Sequence, residues 1–331
     1  MYPFISVIIP IYNEERYLDN CILSMLSQDY PKEAMEWFFV DGMSTDNTRE
    51  ILARYQKQYP KLIHVLQNEH KTVPYAMNLG IDQAVGRYII RLDAHAEYAS
   101  DYFSKCVEVL EKTGADNVGG VMETKSRTKT GASIAKMLSS KFGVGDAQFR
   151  TNSRDGYVDT VPFGAFRREI FEKVGVYDVR LTRNQDSELN YRILHNGGKI
   201  YLSREIKLAY YCRDTIAGII KMAVMNGKWN IITSKLCPGA MRPRHFIPCL
   251  FVCSLIGMPI ISILLPIFWY VFALEMALYV LLDVIFSWKL KESFREFFLL
   301  LMLFPAFHIS YGLGSIKGIF EIIVHDYHAG T

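Results

Sequence analysis

The residues best placed to do chemistry in this sequence are Asp93 and His95, which follow a strand-like apolar run at 88–90. Because side chains alternate along an extended chain, positions 93 and 95 point to the same side. The carboxyl end of a strand is also the edge where open α/β sheets bind ligands. An oxygen and an imidazole there suit a divalent cation, which suits a diphosphate. The alternative is a polar turn capped by Asp93, since a two-ligand motif alone is weak.

Two other predicted strands end in polar residues. A β-branched run at 6–9 stops at Pro10, and an aromatic run at 37–40 ends at Asp41. Glycine and the cap-forming residues 44–46 follow Asp41, which predicts the start of a helix there. The alternation of strands and helices up to about residue 110 predicts an α/β fold with a doubly wound, mostly parallel sheet. In such a sheet the strand ends converge on one edge.

A third acid-rich segment, 182–192, opens another predicted helix and contains Asp186. A carboxylate at such a position can serve as a general base. It can also serve as the N-cap of a helix over residues 187–196, and this alternative stays open at the level of sequence.

With these motifs in order, the chain resembles the family 2 glycosyltransferases over roughly residues 4–235. This large inverting family has the GT-A fold and uses nucleotide-diphosphate sugars. The motifs around Asp41, Asp93 and Asp186 are similar to those of succinoglycan-type exopolysaccharide glucosyltransferases. The resemblance implies donor-nucleotide contacts from Pro10, Tyr12, Glu14, Asp41 and Asp93, a metal site at Asp93 and His95, and a catalytic base at Asp186. Separately, Gly164, Trp229 and His308 are candidates for acceptor-side contacts.

The chain departs from the family pattern at three positions. His95 stands where the second Asp of the metal motif is expected, and this predicts Mn²⁺ in preference to Mg²⁺ as the divalent cofactor. Gln185 replaces a Glu, which leaves Asp186 as the base candidate of that pair. Lys228 lies where polymerising relatives carry Gln-x-x-Arg-Trp. It offers the donor diphosphate a point charge, and the departure argues against processive synthesis.

Composition excludes several other classes. The chain has 331 residues and a formal net charge of +3, with no basic cluster interleaved with aromatics, so we expect no nucleic-acid partner. Its six cysteines show no Cys-x-x-Cys spacing, which is typical of reduced thiols facing the cytosol. The segment 143–156, rich in Gly, Asp, Asn, Arg and Ser, is interpreted either as a mobile lid over the donor or as a disordered connection.

The sequence becomes strongly apolar after residue 244. Residues 246–274 carry no charge, and a bilayer crossing needs about 20 apolar residues. We therefore predict a catalytic domain over 1–240 and a membrane region over 241–331 with two to three hydrophobic helices. The basic residues before the first segment and between the second and third place the catalytic domain on the cytoplasmic side of the plasma membrane. The third segment, 297–316, either spans the membrane or lies in its interface.

Within that third segment, a stripe of small and polar residues at helical spacing includes His308. It is interpreted as a packing seam between helices, or as a contact for a lipid-diphosphate acceptor.

The function expected from all of this is a membrane-anchored inverting glycosyltransferase of bacterial exopolysaccharide or capsule synthesis. It would move a sugar from a UDP-sugar to a polyprenyl-diphosphate-linked saccharide. The alternatives are an inactive nucleotide-sugar-binding membrane subunit and a nucleotidyltransferase. The latter would need a Gly-rich basic phosphate loop after its first strand, where this chain has the acidic residues 14 and 15.

Overall fold

The computed structural model of the chain describes residues 2–151 and 154–324. The chain forms two compact units, one from residues 1–123 and 152–210, the other from 124–151 and 211–331. Both are discontinuous in sequence, so the segment 124–151 belongs to the same unit as the C-terminal helices. The boundary after residue 240, which composition suggests, stays a prediction.

The first unit is an α/β sheet structure. Over the described residues, nine strands form one sheet, with eight in the order β3-β2-β1-β4-β8-β6-β9-β5 and β7 paired to β9. Its elements are β1 (Ile5–Ile11), α1 (Leu18–Leu26), β2 (Met35–Asp41), α2 (Thr48–Gln58), β3 (Ile63–Gln67), α3 (Val73–Gln83), β4 (Tyr88–Arg91), β5 (Ala96–Tyr98), α4 (Tyr102–Thr113), β6 (Asn117–Lys125), β7 (Gly156–Tyr157), β8 (Ala165–Arg167), α8 (Glu169–Val174), α9 (Gln185–His195) and β9 (Ile200–Tyr211).

The parallel half of this sheet brings the strand ends together. In register, Ile11 of β1 lies opposite Asp41 of β2, and Ile8 lies opposite Arg91 of β4. The three strands are almost wholly buried, which explains why they read as continuous apolar runs. The predicted doubly wound fold is confirmed, and the loops carrying the predicted site residues leave one edge of the sheet.

Two details differ from the sequence-based expectation. The sheet is mixed rather than mostly parallel, because β8 runs antiparallel to β4, with Ile90 opposite Ala165. The helix after Asp41 begins at Thr48, later than the cap-forming residues 44–46 predict. Of those three residues, only Asp46 accepts from a backbone N–H of this helix start, that of Thr48 at 3.1 Å.

The second unit is helical, and three of its helices are long and apolar enough to cross a membrane. These candidate spans are Pro243–Leu264, Ile267–Leu290 and Phe294–Val324. Its helices are α5 (Lys129–Leu138), α6 (Lys141–Val144), α7 (Gln148–Thr151), α10 (Ile216–Leu236), α11 (Ile247–Leu264), α12 (Ile267–Leu290) and α13 (Phe294–Val324). The short helices α6 and α7 occupy much of the segment predicted as a lid or a loose connection, and residues 152 and 153 lie outside the described residues.

The core of the second unit joins α5, α10 and α13. Small residues let α10 and α13 approach closely: a Cβ placed on Gly227 would lie 1.9 Å from the carbonyl oxygen of Tyr311. On the same seam, the Ser315 hydroxyl lies 3.3 Å from the carbonyl oxygen of Gly227. The buried members of the core are Ile134, Met137, Leu138, Ile219, Ala223, Leu300, Leu303, Phe304 and Phe307.

Candidate active site

The loops after β1 and β2 are held to each other by hydrogen bonds. The backbone N–H of Asn13 donates to the Ser44 hydroxyl at 2.9 Å, and the Asn13 side-chain oxygen accepts from the backbone of Thr45 at 2.8 Å. The N–H of Glu14 donates to the Thr48 hydroxyl at 2.8 Å. Asn13 has a φ of 55°, a left-handed conformation that this network must hold in place. The result is a rigid rim at the carboxyl edge of the sheet.

The donor-nucleotide candidates lie along this rim. Asp41 is 1% exposed, and its carboxylate accepts from the backbone of Ser44 at 3.1 Å and from Arg49 Nε at 2.7 Å. Pro10 lies near the end of β1, whereas Tyr12, just beyond β1, is half exposed. The ring of Tyr12 lies beside Gly42, 3.5 Å from where a Cβ on that glycine would be, which is an ordinary van der Waals distance. Tyr12 therefore presents an open aromatic face beside a buried carboxylate.

Asp93 and His95 meet just past the end of β4. The Oδ2 atom of Asp93 lies 4.0 Å from Nε2 of His95. Two donors each about 2.1 Å from a cation can be at most about 4.2 Å apart, so a single divalent ion would reach both atoms only if it lay almost on the line between them. Tyr98 steadies the turn between them, because its hydroxyl accepts from the Asp93 N–H at 2.8 Å and donates to the Asp93 carbonyl at 3.0 Å.

The protein contributes only part of a coordination shell at this point. Within residues 2–151 and 154–324, no three His, Cys, Asp or Glu side chains form a group that could hold a metal ion. The nearest carboxylate to the pair, that of Glu14, lies on the other ring nitrogen, with Oε1 3.1 Å from His95 Nδ1. A cation bound by Asp93 and His95 would need further oxygens, such as those of a diphosphate.

Arg91 connects the two carboxylates to which the sequence assigns chemistry. Its guanidinium is 5% exposed; Nη1 forms an ion pair with Asp186, and Nη2 lies 3.3 Å from Asp93 Oδ1. Burial by itself would lower the pKa of Arg91, but the carboxylates of Asp186 and Asp93 outweigh it and raise that pKa. Arg91 is therefore a permanent cation between the metal candidate and the base candidate.

Asp186 occupies the first turn of α9. This helix begins at Gln185 after Asn184, whose φ is 60°, so the alternative in which Asp186 caps a helix over 187–196 is wrong. The Asp186 side chain is about one-third exposed, and one of its oxygens contacts Arg91. Beside them, the Tyr177 hydroxyl is buried; burial, and next the charge of Asp186, raise the pKa of this phenol, which stays neutral.

The remaining candidates are placed by other contacts. The Gly164 carbonyl accepts from the Arg91 N–H at 3.0 Å. In the second unit, Lys228 and Trp229 lie in α10, and Lys228 Nζ is 2.6 Å from a Glu321 oxygen of α13. His308 is 9% exposed, with Nδ1 2.9 Å from the Tyr279 hydroxyl and Nε2 3.0 Å from the Phe142 carbonyl oxygen. These contacts are the ones expected if His308 packs between helices. A contact between His308 and the acceptor stays a prediction.

Sequence reasoning missed Arg91, although its signal was present. Positions 91, 93 and 95 share one parity, so the alternation that pairs Asp93 with His95 also places Arg91 on their side. A charged residue at the end of a buried strand needs a partner of opposite charge, and Asp93 is one such partner for Arg91. The local sequence gives no sign of the second partner. Asp186 is far along the chain, and only the fold brings it to Arg91.

The family model for glycosyl transferase family 2 matches residues 6–175, from β1 to just past α8. The chain belongs to this family, which confirms the resemblance drawn from its motifs. A nucleotidyltransferase is set aside by the same finding.

Two relatives and one solved structure extend the comparison. The chain is 30% identical over 328 residues to a Methanococcus voltae enzyme, covering 95% of this chain and 98% of that protein, named dolichyl N-acetyl-alpha-D-glucosaminyl phosphate 3-beta-D-2,3-diacetamido-2,3-dideoxy-beta-D-glucuronosyltransferase. It is 29% identical over 252 residues to succinoglycan biosynthesis protein ExoA of Rhizobium meliloti, covering 74% and 76%. The fold is similar to that of a Pyrobaculum calidifontis mannosyltransferase in complex with GDP-Man and Mn²⁺, with a TM-score of 0.63, 18% identity, and coverage of 97% and 88%.

Proposed function

We propose that this chain is a membrane-anchored, metal-dependent, inverting glycosyltransferase that moves a sugar from a UDP-sugar to a saccharide carried on a lipid phosphate. The observation that carries the proposal is the meeting of Asp93 and Asp186 at Arg91. In the proposal, Asp93 would help to hold a cation for the donor diphosphate and Asp186 would serve the acceptor hydroxyl, and their shared contact with Arg91 supports this pairing. Bond breaking and bond making need such neighbours.

In the proposed reaction, Asp186 accepts the proton of the acceptor hydroxyl. The oxygen of that hydroxyl attacks the anomeric carbon from the face opposite the nucleotide, and the nucleotide diphosphate leaves. A positioned base of this kind contributes about 10²–10⁴-fold in rate. Arg91 holds one oxygen of Asp186, which fixes the direction in which the other can accept a proton. Asp93 and His95 would hold a divalent cation, with Mn²⁺ preferred over Mg²⁺ because imidazole is the softer ligand. Such a cation offsets charge on the diphosphate as it leaves.

The acceptor side of the proposal is supported by the apolar helices and by the relatives. A soluble acceptor gives no reason for three helices able to cross a membrane. The Methanococcus voltae relative is named for a sugar on dolichyl phosphate, and the Rhizobium meliloti relative for succinoglycan biosynthesis. We propose a polyprenyl carrier, with the catalytic unit on the cytoplasmic face of the plasma membrane. The polyprenyl diphosphate and exopolysaccharide or capsule synthesis stay predictions.

The experiment is a matrix of donors and carriers with the full chain in lipid nanodiscs. Purified protein with Mn²⁺ is incubated with UDP-, GDP- and dTDP-sugars, and nucleotide release is measured without acceptor. The productive donor is then offered glycosylated polyprenyl monophosphate and diphosphate, and the anomeric configuration of the product is read by NMR. Transfer with inversion supports the proposal. Nucleotide-sugar binding without release or transfer from any donor would instead make the chain an inactive binding subunit.

A further inference from the structure

Glu14 contacts the histidine that distinguishes this metal motif from a pair of aspartates. Its Oε1 lies 3.1 Å from Nδ1 of His95, while Nε2 of the same ring faces Asp93 at 4.0 Å. The side chains of Glu14, His95 and Asp93 are 18%, 30% and 20% exposed, so all three are partly shielded from water yet open to a ligand. They form a chain of carboxylate, imidazole and carboxylate.

The backbone holds Glu14 in place for this contact. Its N–H donates to the Thr48 hydroxyl at 2.8 Å, and its carbonyl accepts from the N–H groups of Tyr17 and Leu18, both at 2.9 Å. These bonds fix the backbone of Glu14, and from that position its side chain reaches His95.

We propose that Glu14 is a positioning residue for His95 as a metal ligand, an inference that rests on the proposed metal-dependent transfer. A neutral imidazole carries one proton, and a carboxylate beside Nδ1 holds that proton there. Nε2 then keeps its lone pair on the side of Asp93, where a cation would bind. Carboxylates commonly fix ligating histidines in this way, and their loss typically costs about 10–100-fold in metal affinity.

The negative charge of Glu14 also favours a cation beside His95. Replacing the second Asp of a metal motif with His removes one negative charge from the ligand pair. Glu14 supplies a negative charge on the far side of the ring, so the group of three carries the net charge of two carboxylates.

The test measures Mn²⁺ binding directly. The full chain in detergent, saturated with UDP, is titrated with Mn²⁺, and free Mn²⁺ is followed by electron paramagnetic resonance. We expect Glu14→Gln to weaken Mn²⁺ binding by about 10-fold and Glu14→Ala by up to about 100-fold. The matched control is Glu15→Gln, because this exposed neighbour of Glu14 has the same charge and its carboxylate accepts from the Asn47 backbone N–H at 3.0 Å. Its Mn²⁺ affinity should stay within about twofold of wild type.

A double substitution separates positioning from a general charge effect. In a His95→Asp background the ring is gone and Glu14 faces a like charge, so Glu14→Gln should no longer weaken Mn²⁺ binding. Equal weakening in both backgrounds would overturn the proposal, as would wild-type Mn²⁺ affinity in Glu14→Gln. Because the resemblance also assigns Glu14 a donor-nucleotide contact, UDP affinity of Glu14→Gln is measured without metal as well. Weaker UDP binding together with wild-type Mn²⁺ affinity would make Glu14 a nucleotide contact instead of a positioning residue. Failure of sugar transfer in wild type, with these Mn²⁺ effects intact, would count against the proposed function alone.

Discussion

At the scale of single residues, the site is organised around shared partners. Arg91 serves both Asp93 and Asp186, and His95 contacts both Glu14 and Asp93. Each charged group is held by a neighbour that also touches another candidate. Substitutions within this set should therefore couple, so single effects will not add.

Asp186 is the residue whose removal should separate binding from chemistry. Asp186→Asn keeps the size of the side chain but cannot accept a proton, so we expect transfer to fall by about 10³-fold with donor affinity near wild type. Isothermal calorimetry measures the donor affinity, and a turnover assay measures the rate of transfer. Asp82→Asn, on an exposed part of α3, controls for loss of a charge. Transfer within tenfold of wild type would remove Asp186 from the mechanism.

His95 should set the choice of metal. Mg²⁺ favours an all-oxygen octahedron and Mn²⁺ tolerates nitrogen better, so wild type should work markedly better with Mn²⁺. His95→Asp should raise activity with Mg²⁺ relative to Mn²⁺. Activity titrations with each ion, in both proteins, measure the ratio. An unchanged ratio would mean that His95 is not a ligand.

Much of this site could be predicted from sequence, because strand ends are visible as apolar runs that stop at polar residues. Asp41, Asp93 and His95 were found in that way, and the structure places each at the carboxyl edge. The pairing of Arg91 with Asp186 could not be predicted, since it joins positions brought together only by the sheet and α9. The role of Glu14 depends on the loop geometry after β1, which no local pattern specifies.

At the scale of elements, β1, β2 and β4 could be predicted because both faces of a parallel sheet are buried. The antiparallel strand β8 is only three residues long and gave no periodic signal. In the second unit, periodicity revealed α11–α13, but the close pairing of α10 with α13 depends on small residues whose neighbours the sequence does not name. The closest of these approaches is at Gly227, and a single substitution there tests it.

Gly227→Ala should destabilise the second unit. The added Cβ would come 1.9 Å from the Tyr311 carbonyl oxygen, and backbone cannot yield as a flexible side chain does. Overpacking of this kind costs about 1–3 kcal/mol, more than the gain in helix propensity over glycine. Gly257→Ala is the matched control, because nothing lies within 4 Å of its added Cβ. The midpoint of thermal unfolding in detergent should fall by several degrees in Gly227→Ala and stay at the wild-type value in Gly257→Ala. Equal midpoints for the two variants would contradict close packing at Gly227.

At the scale of the whole molecule, the first unit carries buried acids that should make it sensitive to alkali. Burial raises the pKa of Cys106, Tyr102 and Tyr177 above their ordinary values. In the unfolded chain these groups lose protons above about pH 8.5 for the thiol and about pH 10 for the phenols. The folded state then binds more protons than the unfolded state, so stability falls as pH rises, by up to about 1.4 kcal/mol per pH unit and group.

The measurement is the thermal unfolding midpoint of the full chain in detergent between pH 8 and 11. We expect a decline that begins near pH 9 and steepens near pH 10. Cys106→Ala should make the first part of the decline shallower and leave the steeper part in place, because Cys21, a second buried thiol with a raised pKa, still contributes. A midpoint independent of pH over this range would contradict the assignment.

The path of the chain through the membrane is the last property that the structure makes testable. α13 packs against α10, from Gly314 beside Val224 to Lys228 paired with Glu321. α10 also carries Lys221, which is exposed. If α13 crossed the bilayer, α10 would hold Lys221 and Lys228 at membrane depth. Each lysine near the membrane centre would then cost about 2.5–3.5 kcal/mol in insertion free energy. We therefore expect α13 to lie in the interface while α11 and α12 cross as a hairpin.

Alkaline phosphatase, which is active only outside the cytoplasm, reports the outcome in a bacterial host. Inserted at Leu265, between α11 and α12, it should be active, because that turn joins the two crossing helices. Fused to the last residue, it should be inactive, since two crossings return the chain to the cytoplasmic side. The basic residues Lys289, Lys291 and Arg295, at the junction of α12 and α13, favour the same side. An active enzyme at the last residue would show that α13 crosses, and α10 would then need a buried environment for Lys221.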